Sequence, residues 1–395
     1  SDVCSSDLRN PEYRSRVQKL VQSAFAGKPK DIISQSVAKA LYGEVSPYSA
    51  TRLERFAACA FAHFLQYGMK LTERVEYEFK PMDMGNVMHE ALESFAEEVR
   101  KRGMKWTELT EQERNEIADR CLDNIVADYG NTVLKSSARN EYMIERTRRI
   151  LRRTVWALQK QLEQGEFQPE GFEVTFGGGR IDRVDIMEDQ NKVYVKVIDY
   201  KTGNTSFDLV YLYHGLQLQL MIYLDGALRV EQKKYPDKEI IPAGVFYYNI
   251  KDPMIQEKID ADVEAVSAGL MKELKMNGLV QADPELVYRM DSSLGSIPVA
   301  FNKDGSFRKN SSVADRTQFA VLGRYVRTKI EKIRSSILEG DAEVSPYELG
   351  KKNACTYCPY MTVCGFDRRL SGYEFRRLKN FSDEELWKAF DREAE

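Results

Sequence analysis

The chain has 395 residues, of which 43% are hydrophobic and 30% charged, and its 58 basic and 61 acidic side chains give a formal net charge of −3. This length exceeds what one ordinary core needs, and the balanced charge excludes a disordered charged tail, so two or three packed regions are expected. No run of about 18 apolar residues is present, which excludes a membrane-spanning helix. Residues 1–10 also lack the apolar stretch of a secretion signal.

The beginning of the chain shows little periodicity. Residues 1–45 are predicted to be the remnant of a preceding region, with residues 1–8 not native. From Ser49, a typical N-cap residue, apolar side chains recur at helical spacing to about Phe64. This pattern predicts a buried helix with Cys59 inside it.

Three further helices are predicted before the pattern changes. The second begins at about Gly85 and has His89 at the edge of its inward apolar stripe. Thr110 and Glu113 form a capping box at the start of the third. The fourth covers about residues 141–164. This part of the chain is therefore expected to be helical.

The hydrophobic period then changes from that of a helix to that of a strand. The predicted strands are 172–176, 180–187 and 193–200. A Gly-Gly-Gly turn and an Asp-Gln-Asn turn separate them, as in an antiparallel meander. A predicted helix at 208–225 and a strand at 240–250 follow. The expected fold is α/β, a compact core whose central mixed sheet is flanked by helices.

The rest of the chain is predicted to form helices and a tail that are added to this core. Helices are predicted at 261–277 and 314–337, with a turn at 303–306 between them and a loop-rich tail after them. The predicted regions are the remnant at 1–45, a helical region at 46–165, the core at 166–255, a helical extension at 256–345 and a cysteine-rich tail at 346–395.

Three of the six cysteines lie close together in the tail, at Cys355, Cys358 and Cys364. A long chain with few cysteines is not a secreted disulfide scaffold, so a reducing cytoplasmic location is expected. Such a thiolate cluster predicts a metal or iron–sulfur site that still lacks one ligand. A four-cysteine zinc site is the alternative, although zinc sites more often pair two Cys-x-x-Cys knuckles.

Charged side chains fall on two predicted neighbouring strands. Alternation places Asp199 and Lys201 on one face of their strand, with Asp182 on the strand before. Asp182 and Asp199 are candidates to bind a divalent cation, which His89 could also reach, and Lys201 is a candidate to assist hydrolysis of a phosphate. An ordinary ion pair at a sheet edge is the alternative. The candidates to brace Lys201 or a DNA phosphate are Gln219 and Tyr223, four apart on a helix.

Two further acids are assigned supporting roles. Asp185 lies three residues from Asp182 and therefore on the opposite strand face, where it is expected to pair structurally with Arg183 or Arg180. Glu173 is a candidate outer carboxylate. In the fourth predicted helix a basic run is a candidate phosphate track, with a solvated helix face as the alternative. Its candidate DNA contacts are Arg146, Arg149 and Arg153.

Four short motifs occur in a fixed order: Gly-x-x-x-His at His89, Gly-x-Ile-Asp at Asp182, Asp-Tyr-Lys at Lys201 and Gln-x-x-x-Tyr at Tyr223. From about residue 46 to 367 the sequence resembles the RecB-like branch of the PD-(D/E)xK nucleases, and within it the nuclease region of AddAB-type helicase-nucleases. The resemblance implies a restriction-endonuclease-like core with catalytic Asp182, Asp199, Lys201, Gln219 and Tyr223, and Mg²⁺ held by His89, Asp182 and Asp199. It also implies a 4Fe–4S cluster, ligated by Cys59, Cys355, Cys358 and Cys364, that joins an N-terminal helix to the tail.

The same resemblance implies a biological setting. A nuclease of this type would cut single strands of unwound DNA beside an AddA-type helicase-nuclease subunit, during end resection and double-strand break repair by homologous recombination in the bacterial cytoplasm. The chain would then be a piece of a longer subunit that begins with helicase-like domains. A standalone Cas4-like exonuclease and a catalytically silent DNA-guiding scaffold are the alternatives.

The sequence departs from the family pattern at two points. The first cluster ligand usually stands in Cys-Pro-Phe, whereas this chain has Cys59-Ala60-Phe61 and therefore no proline to break the helix. No Gly-x-x-x-x-Gly-Lys loop is present either, so no ATPase activity is expected from this chain.

Overall fold

The computed structural model describes most of the chain. The described residues are 11–24, 32–43, 48–72, 81–128, 138–177, 179–255 and 262–394. The prediction for residues 1–8 lies outside them. The chain divides into a first unit of Ser1–Glu73, His214–Leu216 and Lys329–Glu384, and a second unit of Arg74–Tyr213, Gln217–Thr328 and Glu385–Glu395.

Helices make up much of both units. In the described residues the α-helices are α1 (Pro11–Ala24), α2 (Gln35–Tyr42), α3 (Ala50–Ala58), α4 (Ala60–His63), α5 (Pro81–Lys101), α6 (Glu111–Asp128), α7 (Ala138–Glu163), α8 (Leu209–Tyr213), α9 (Gln219–Lys234), α10 (Val263–Glu273), α11 (Pro284–Met290), α12 (Arg316–Glu339), α13 (Met361–Cys364) and α14 (Asp383–Ala394). A short π-helix, Phe64–Gly68, directly follows α4. No helix of the described residues is both long and apolar enough to span a membrane.

Two sheets are present among the described residues. Their strands are β1 (Gln168–Phe176), β2 (Gly179–Asp189), β3 (Lys192–Lys201), β4 (Glu239–Asn249), β5 (Asn277–Gln281), β6 (Val313–Ala314), β7 (Tyr347–Leu349), β8 (Lys352–Asn353) and β9 (Arg376–Arg377). Strands β1 to β6 form one sheet in chain order, and β8, β7 and β9 form a small second sheet in the first unit.

The six-stranded sheet is mixed. Strands β1, β2 and β3 are an antiparallel meander, β4 runs parallel to β3, and β5 runs antiparallel to β4. Both faces of β3 are covered, since Val195 and Val197 on one face and Ile198 and Tyr200 on the other are all buried. The predicted α/β core with a central mixed sheet flanked by helices is therefore confirmed.

Helices bury both faces of this sheet. Helix α9 packs on β3 and β4, while α5, α6 and α7 pack on one another and α5 reaches β1. Their shared core includes the fully buried Phe95, Leu122 and Leu151. At the start of α6 the predicted capping box is present, because the Thr110 amide donates to Glu113 Oε2 at 2.9 Å and the Glu113 amide donates to Thr110 Oγ1 at 3.3 Å.

Two predicted helices are wrong in part. The helix predicted at 208–225 is interrupted between α8 and α9, where Gly215 has a φ of +77° that glycine adopts more readily than other residues. The helix predicted at 261–277 ends at Glu273, and β5 begins at Asn277. At Gly278 a Cβ would lie 1.9 Å from Val245 O, so glycine permits the close pairing of β5 with β4.

The chain conformation at Cys59 also differs from the prediction. Ser49 caps α3 as expected, but α3 ends at Ala58 and Cys59 is extended, with φ −166° and ψ +116°. Helix α4 then restarts at Ala60. Cys59 therefore lies at a helix break rather than inside a helix, even though no proline is present.

Candidate active site and cysteine cluster

Three carboxylates lie in a row across the first three strands of the large sheet. The flanking pairs of β1 and β2 place Glu173 opposite Asp182, and extending the β2–β3 register by one residue places Asp182 opposite Asp199. Asp182 and Asp199 are buried. Because like charges directly opposite each other destabilise a sheet, this row requires compensating positive charge.

A histidine from the adjacent helix completes this acidic group. His89 of α5 has its Nδ1 atom 3.4 Å from Asp182 Oδ2 and 3.8 Å from Glu173 Oε1. Ligand atoms of His89, Glu173 and Asp182 all lie within 4.8 Å of one another. Asp182 Oδ2 also accepts a hydrogen bond from the Tyr200 amide at 2.7 Å, which fixes its position. One nitrogen and two carboxylate oxygens therefore lie close enough together to bind one divalent cation.

A lysine and its supports adjoin the third carboxylate. Lys201 Nζ lies 2.5 Å from Asp199 Oδ2 and donates to Gln219 Oε1 at 2.8 Å. Gln219 Nε2 in turn donates to Tyr223 Oη at 2.9 Å. Residues 219 and 223 are one turn apart on α9, so the helix holds the lysine through a chain of hydrogen bonds.

The crowding of acids changes their protonation. Burial, and then repulsion from Asp199, raises the pKa of Asp182 to about 7. Burial likewise raises the pKa of Asp199, against the opposing charge of Lys201. Burial alone would lower the pKa of His89, but its hydrogen bond to Glu173 and the charge of Asp182 raise it overall. The site is therefore strongly attractive to a cation.

Glu173, the candidate outer carboxylate, lies among the predicted metal ligands. One of its oxygens belongs to the set of three ligand atoms that lie within 4.8 Å of one another. Its φ of +50° is uncommon for a residue other than glycine, and such backbone strain is often found at functional sites. Its second oxygen pairs with Arg180 Nε at 2.5 Å.

Asp185 has the structural surroundings that were expected of it. It is fully buried, and its carboxylate lies 2.5 Å from Arg183 Nε and 2.9 Å from Lys196 Nζ. The Arg183 guanidinium lies over the rings of Trp106 and Phe172. The alternative partner, Arg180, is paired with Glu173 instead.

The candidate arginines of α7 differ in how far they are already paired. Arg149 Nε lies 2.5 Å from Asp252 Oδ2. Arg153 lies over the ring of Trp156, and Arg146 is exposed. Helical spacing places all three on one face of α7. The neighbouring Arg148 and Arg152 are instead paired with aspartates of α6.

The four candidate cysteines meet within the first unit. Cys59 is buried at the break between α3 and α4, and the other three come from the tail around α13. All four line one pocket, whose wall includes Val344, Pro346, Tyr360 and Phe366. Among the described residues, no three cysteine sulfurs lie within 4.8 Å of one another.

Burial governs the chemistry of these thiols. It raises the pKa of Cys355 to about 12, with further contributions from the charges of the other three cysteines. Burial also raises the pKa of Cys59, although backbone N–H groups of Ala62 and Ser345 hydrogen-bond to its sulfur and oppose the rise. Cys59 and Cys355 would therefore ionise more readily beside a bound cation, and metal binding would release protons.

The fold and the first site together define a class of protein. An antiparallel meander followed by a helix and a parallel strand, with a histidine, aligned carboxylates and a lysine at one end, is the arrangement of a metal-dependent nuclease. The chain belongs to the PD-(D/E)XK nuclease superfamily, whose family model matches residues 47–365. The family resemblance predicted from the four motifs is confirmed.

Similar proteins carry a more specific name. A protein of Lachnoclostridium phytofermentans is 42% identical over 97% of this chain and 35% of its own length. Proteins of Thermoanaerobacter sp. (34% identical, 97% of this chain, 35% of their length) and Alkaliphilus metalliredigens (34%, 100% and 36%) are also similar. All three are named as the same subunit of an ATP-dependent helicase/deoxyribonuclease. The chain therefore spans about a third of the length of these relatives.

Proposed function

We propose that this chain is the Mg²⁺-dependent nuclease region of an AddAB-type subunit and that it hydrolyses phosphodiester bonds of single-stranded DNA. The observation that carries the proposal is the convergence of His89, Glu173 and Asp182 within 4.8 Å, beside the Asp199–Lys201 pair. Membership of the nuclease superfamily and the names of the relatives support it.

Each side chain of the site has a proposed task. His89, Asp182 and Asp199, joined by Glu173, would hold Mg²⁺, which prefers such oxygen-rich sites. Bound there, Mg²⁺ would supply electrostatic stabilisation to the phosphate oxygens during hydrolysis. The fit rests on the three aligned carboxylates, whose mutual repulsion a divalent cation relieves.

Lys201 would act on the reacting phosphate directly. Its ammonium group is held at a fixed position by Asp199 and Gln219. It can hydrogen-bond to the attacking water and offset the negative charge that develops on the phosphate. Water would lose a proton and form a bond to phosphorus in line with the leaving deoxyribose oxygen, whose bond to phosphorus breaks and which takes up a proton. Tyr223 would keep Gln219, and through it Lys201, in place.

The cysteine pocket would hold a 4Fe–4S cluster. All four cysteines line one pocket. Zinc sites more often pair two Cys-x-x-Cys knuckles, and here only Cys355 and Cys358 have that spacing, which favours an iron–sulfur cluster over zinc. The cluster would tie Cys59 to Cys355, Cys358 and Cys364, which lie about 300 residues further along the chain and belong to the same unit.

The full assembly is also part of the proposal. We propose an AddA-type subunit as the partner and bacterial end resection in double-strand break repair as the setting, in the cytoplasm. Arg146, Arg149 and Arg153 would form a short phosphate track within the second unit. Because the chain has a net charge of −3 and so attracts DNA only weakly overall, most of the affinity for DNA would come from the partner and from the rest of the subunit.

The nuclease proposal can be tested with one matched pair of lysine variants. Lys201 pairs with Asp199 and lies over the Tyr247 ring, while Lys238 pairs with Glu188 and lies over the Tyr235 ring. Lys201→Met should abolish degradation of single-stranded DNA with Mg²⁺, whereas Lys238→Met should retain it. Retained activity of Lys201→Met would mean that another site is catalytic, and a wild type without activity would favour the silent-scaffold alternative.

A further inference from the structure

The helix break at Cys59 has no local cause in the sequence. Helix breaks usually coincide with proline or glycine, and residues 58–61 contain neither. In an unbroken α-helix the Phe61 amide would donate to the carbonyl of Ala57. Interrupting that hydrogen bond leaves one donor and one acceptor that need new partners.

The C-terminal segment of the first unit provides both partners. The Phe61 amide donates instead to Glu343 O at 2.9 Å. The freed carbonyl of Ala57 accepts a hydrogen bond from the Arg376 guanidinium. Ala57 is buried, so water could not easily replace this donor. The lost helical bond is thus replaced on both sides by residues that are close only in the folded unit.

The break determines where the Cys59 sulfur lies. With the backbone extended at Cys59, its sulfur accepts hydrogen bonds from the backbone N–H groups of Ala62 and Ser345 and lines the same pocket as the tail cysteines. If an unbroken helix formed instead, the Phe61 amide would donate to the Ala57 carbonyl. The Cys59 side chain would then be rotated about the helix axis, away from the pocket that the tail cysteines line.

We propose that Arg376 is the positioning residue of the cysteine site: it holds α3 open at Ala58 and thereby presents Cys59 to the other three ligands. In this role Arg376 acts through the Ala57 carbonyl, and its charge also favours the Cys59 thiolate. The inference rests on the proposed metal–sulfur centre. It assigns to one tail arginine the conformational effect that a proline would produce at residue 60.

The geometry supplies a direct rescue experiment. Cys59 already has the extended conformation that a residue before proline prefers. Ala60 is the first residue of α4, where proline is well tolerated because the amide there has no helical partner. Ala60→Pro should therefore keep the helix open without Arg376. The neighbouring Arg377, 80% exposed, provides a matched control.

Four proteins would be purified anaerobically as the full 395-residue chain: wild type, Arg377→Ala, Arg376→Ala, and Arg376→Ala with Ala60→Pro. Bound iron and zinc, visible absorbance and the rate of metal loss to a chelator would be measured. Arg376→Ala should lose metal about tenfold faster, since a buried hydrogen bond to a charged group is lost. Arg377→Ala and the double variant should behave like wild type.

Each outcome decides the proposal. Metal retention by Arg376→Ala equal to wild type would overturn it, as would a folded double variant that still loses metal quickly. If Arg376→Ala alone is insoluble, a soluble, metal-loaded double variant supports the proposal and a folded, metal-free one overturns it. A wild type without iron or zinc would instead refute the metal–sulfur centre itself.

Discussion

Replacing Asp185 by asparagine tests whether this acid is structural or catalytic. Asp185 is fully buried between two cations, with Arg183 Nε at 2.5 Å and Lys196 Nζ at 2.9 Å. Asparagine keeps the shape of the side chain but removes its charge. Two buried cations would then face each other without an anion between them, which is strongly unfavourable.

The expected cost follows from this geometry. Removing one partner of a buried ion pair typically costs about 3–5 kcal/mol. For a domain of this size, a loss of about 4 kcal/mol lowers the melting temperature by about 10 °C. Lys196→Met is the matched control, because it leaves Arg183 and Asp185 as a neutral pair and should change the melting temperature by only about 2 °C.

Tryptophan fluorescence is the appropriate assay. The three tryptophans of the chain, Trp106, Trp156 and Trp387, all belong to the second unit, so thermal melts followed by fluorescence report on the unit that contains Asp185. The melts would be repeated with Mg²⁺. Asp185→Asn should melt far below wild type and keep the stabilisation by Mg²⁺.

Two results would refute this reasoning. If Asp185→Asn and Lys196→Met lowered the melting temperature equally, the excess of buried positive charge would not be the cause of the destabilisation by Asp185→Asn. If Asp185→Asn melted like wild type but lost its stabilisation by Mg²⁺, Asp185 would be a metal ligand.

Three further predictions concern other parts of the molecule. Glu173→Gln should raise the Mg²⁺ concentration for half-maximal nuclease activity about tenfold, whereas Glu170→Gln on the same strand should not; equal values would remove Glu173 from the ligand set. Burial, and then the charge of Arg52, lowers the pKa of His63 to about 3, so its contribution to stability is complete above about pH 6.5 and is lost as the pH falls towards 3. NMR of histidine-labelled protein should show His63 neutral at pH 5, and titration near pH 6.5 would contradict this. Replacing the three candidate DNA arginines of α7 by alanine should make the plot of log affinity for single-stranded DNA against log salt concentration less steep by about 2 in slope. An unchanged slope would favour the alternative of a solvated helix face.

The sequence alone predicted most of the central architecture. Strand alternation was enough to place Asp182, Asp199 and Lys201 on neighbouring strands, because the meander has short turns and a clear period of two. His89 followed from its position beside an apolar helical stripe. These inferences depend on neighbours in sequence, where local pattern and tertiary structure agree.

The sequence was less informative where distant residues decide the conformation. The break at Cys59 depends on Glu343 and Arg376, which are far away in sequence. Strand β5 is missing from the prediction, and the helix predicted at 261–277 extends beyond Glu273, since the short apolar run of β5 is ambiguous until β4 pairs with it. The position of Glu173 opposite Asp182 follows from counting residues, because both are equally far from the turn between β1 and β2.

That symmetry has a consequence for the turn itself. Phe176 pairs with Gly179 next to the turn, and this pair sets the register of β1 and β2 as far as Glu173 and Asp182. Inserting one residue into the turn would shift the β1–β2 pairing and move Glu173 away from Asp182. The number of residues in this loop, rather than their identity, therefore keeps Glu173 opposite Asp182, and libraries that vary the turn should tolerate substitutions but not changes in length.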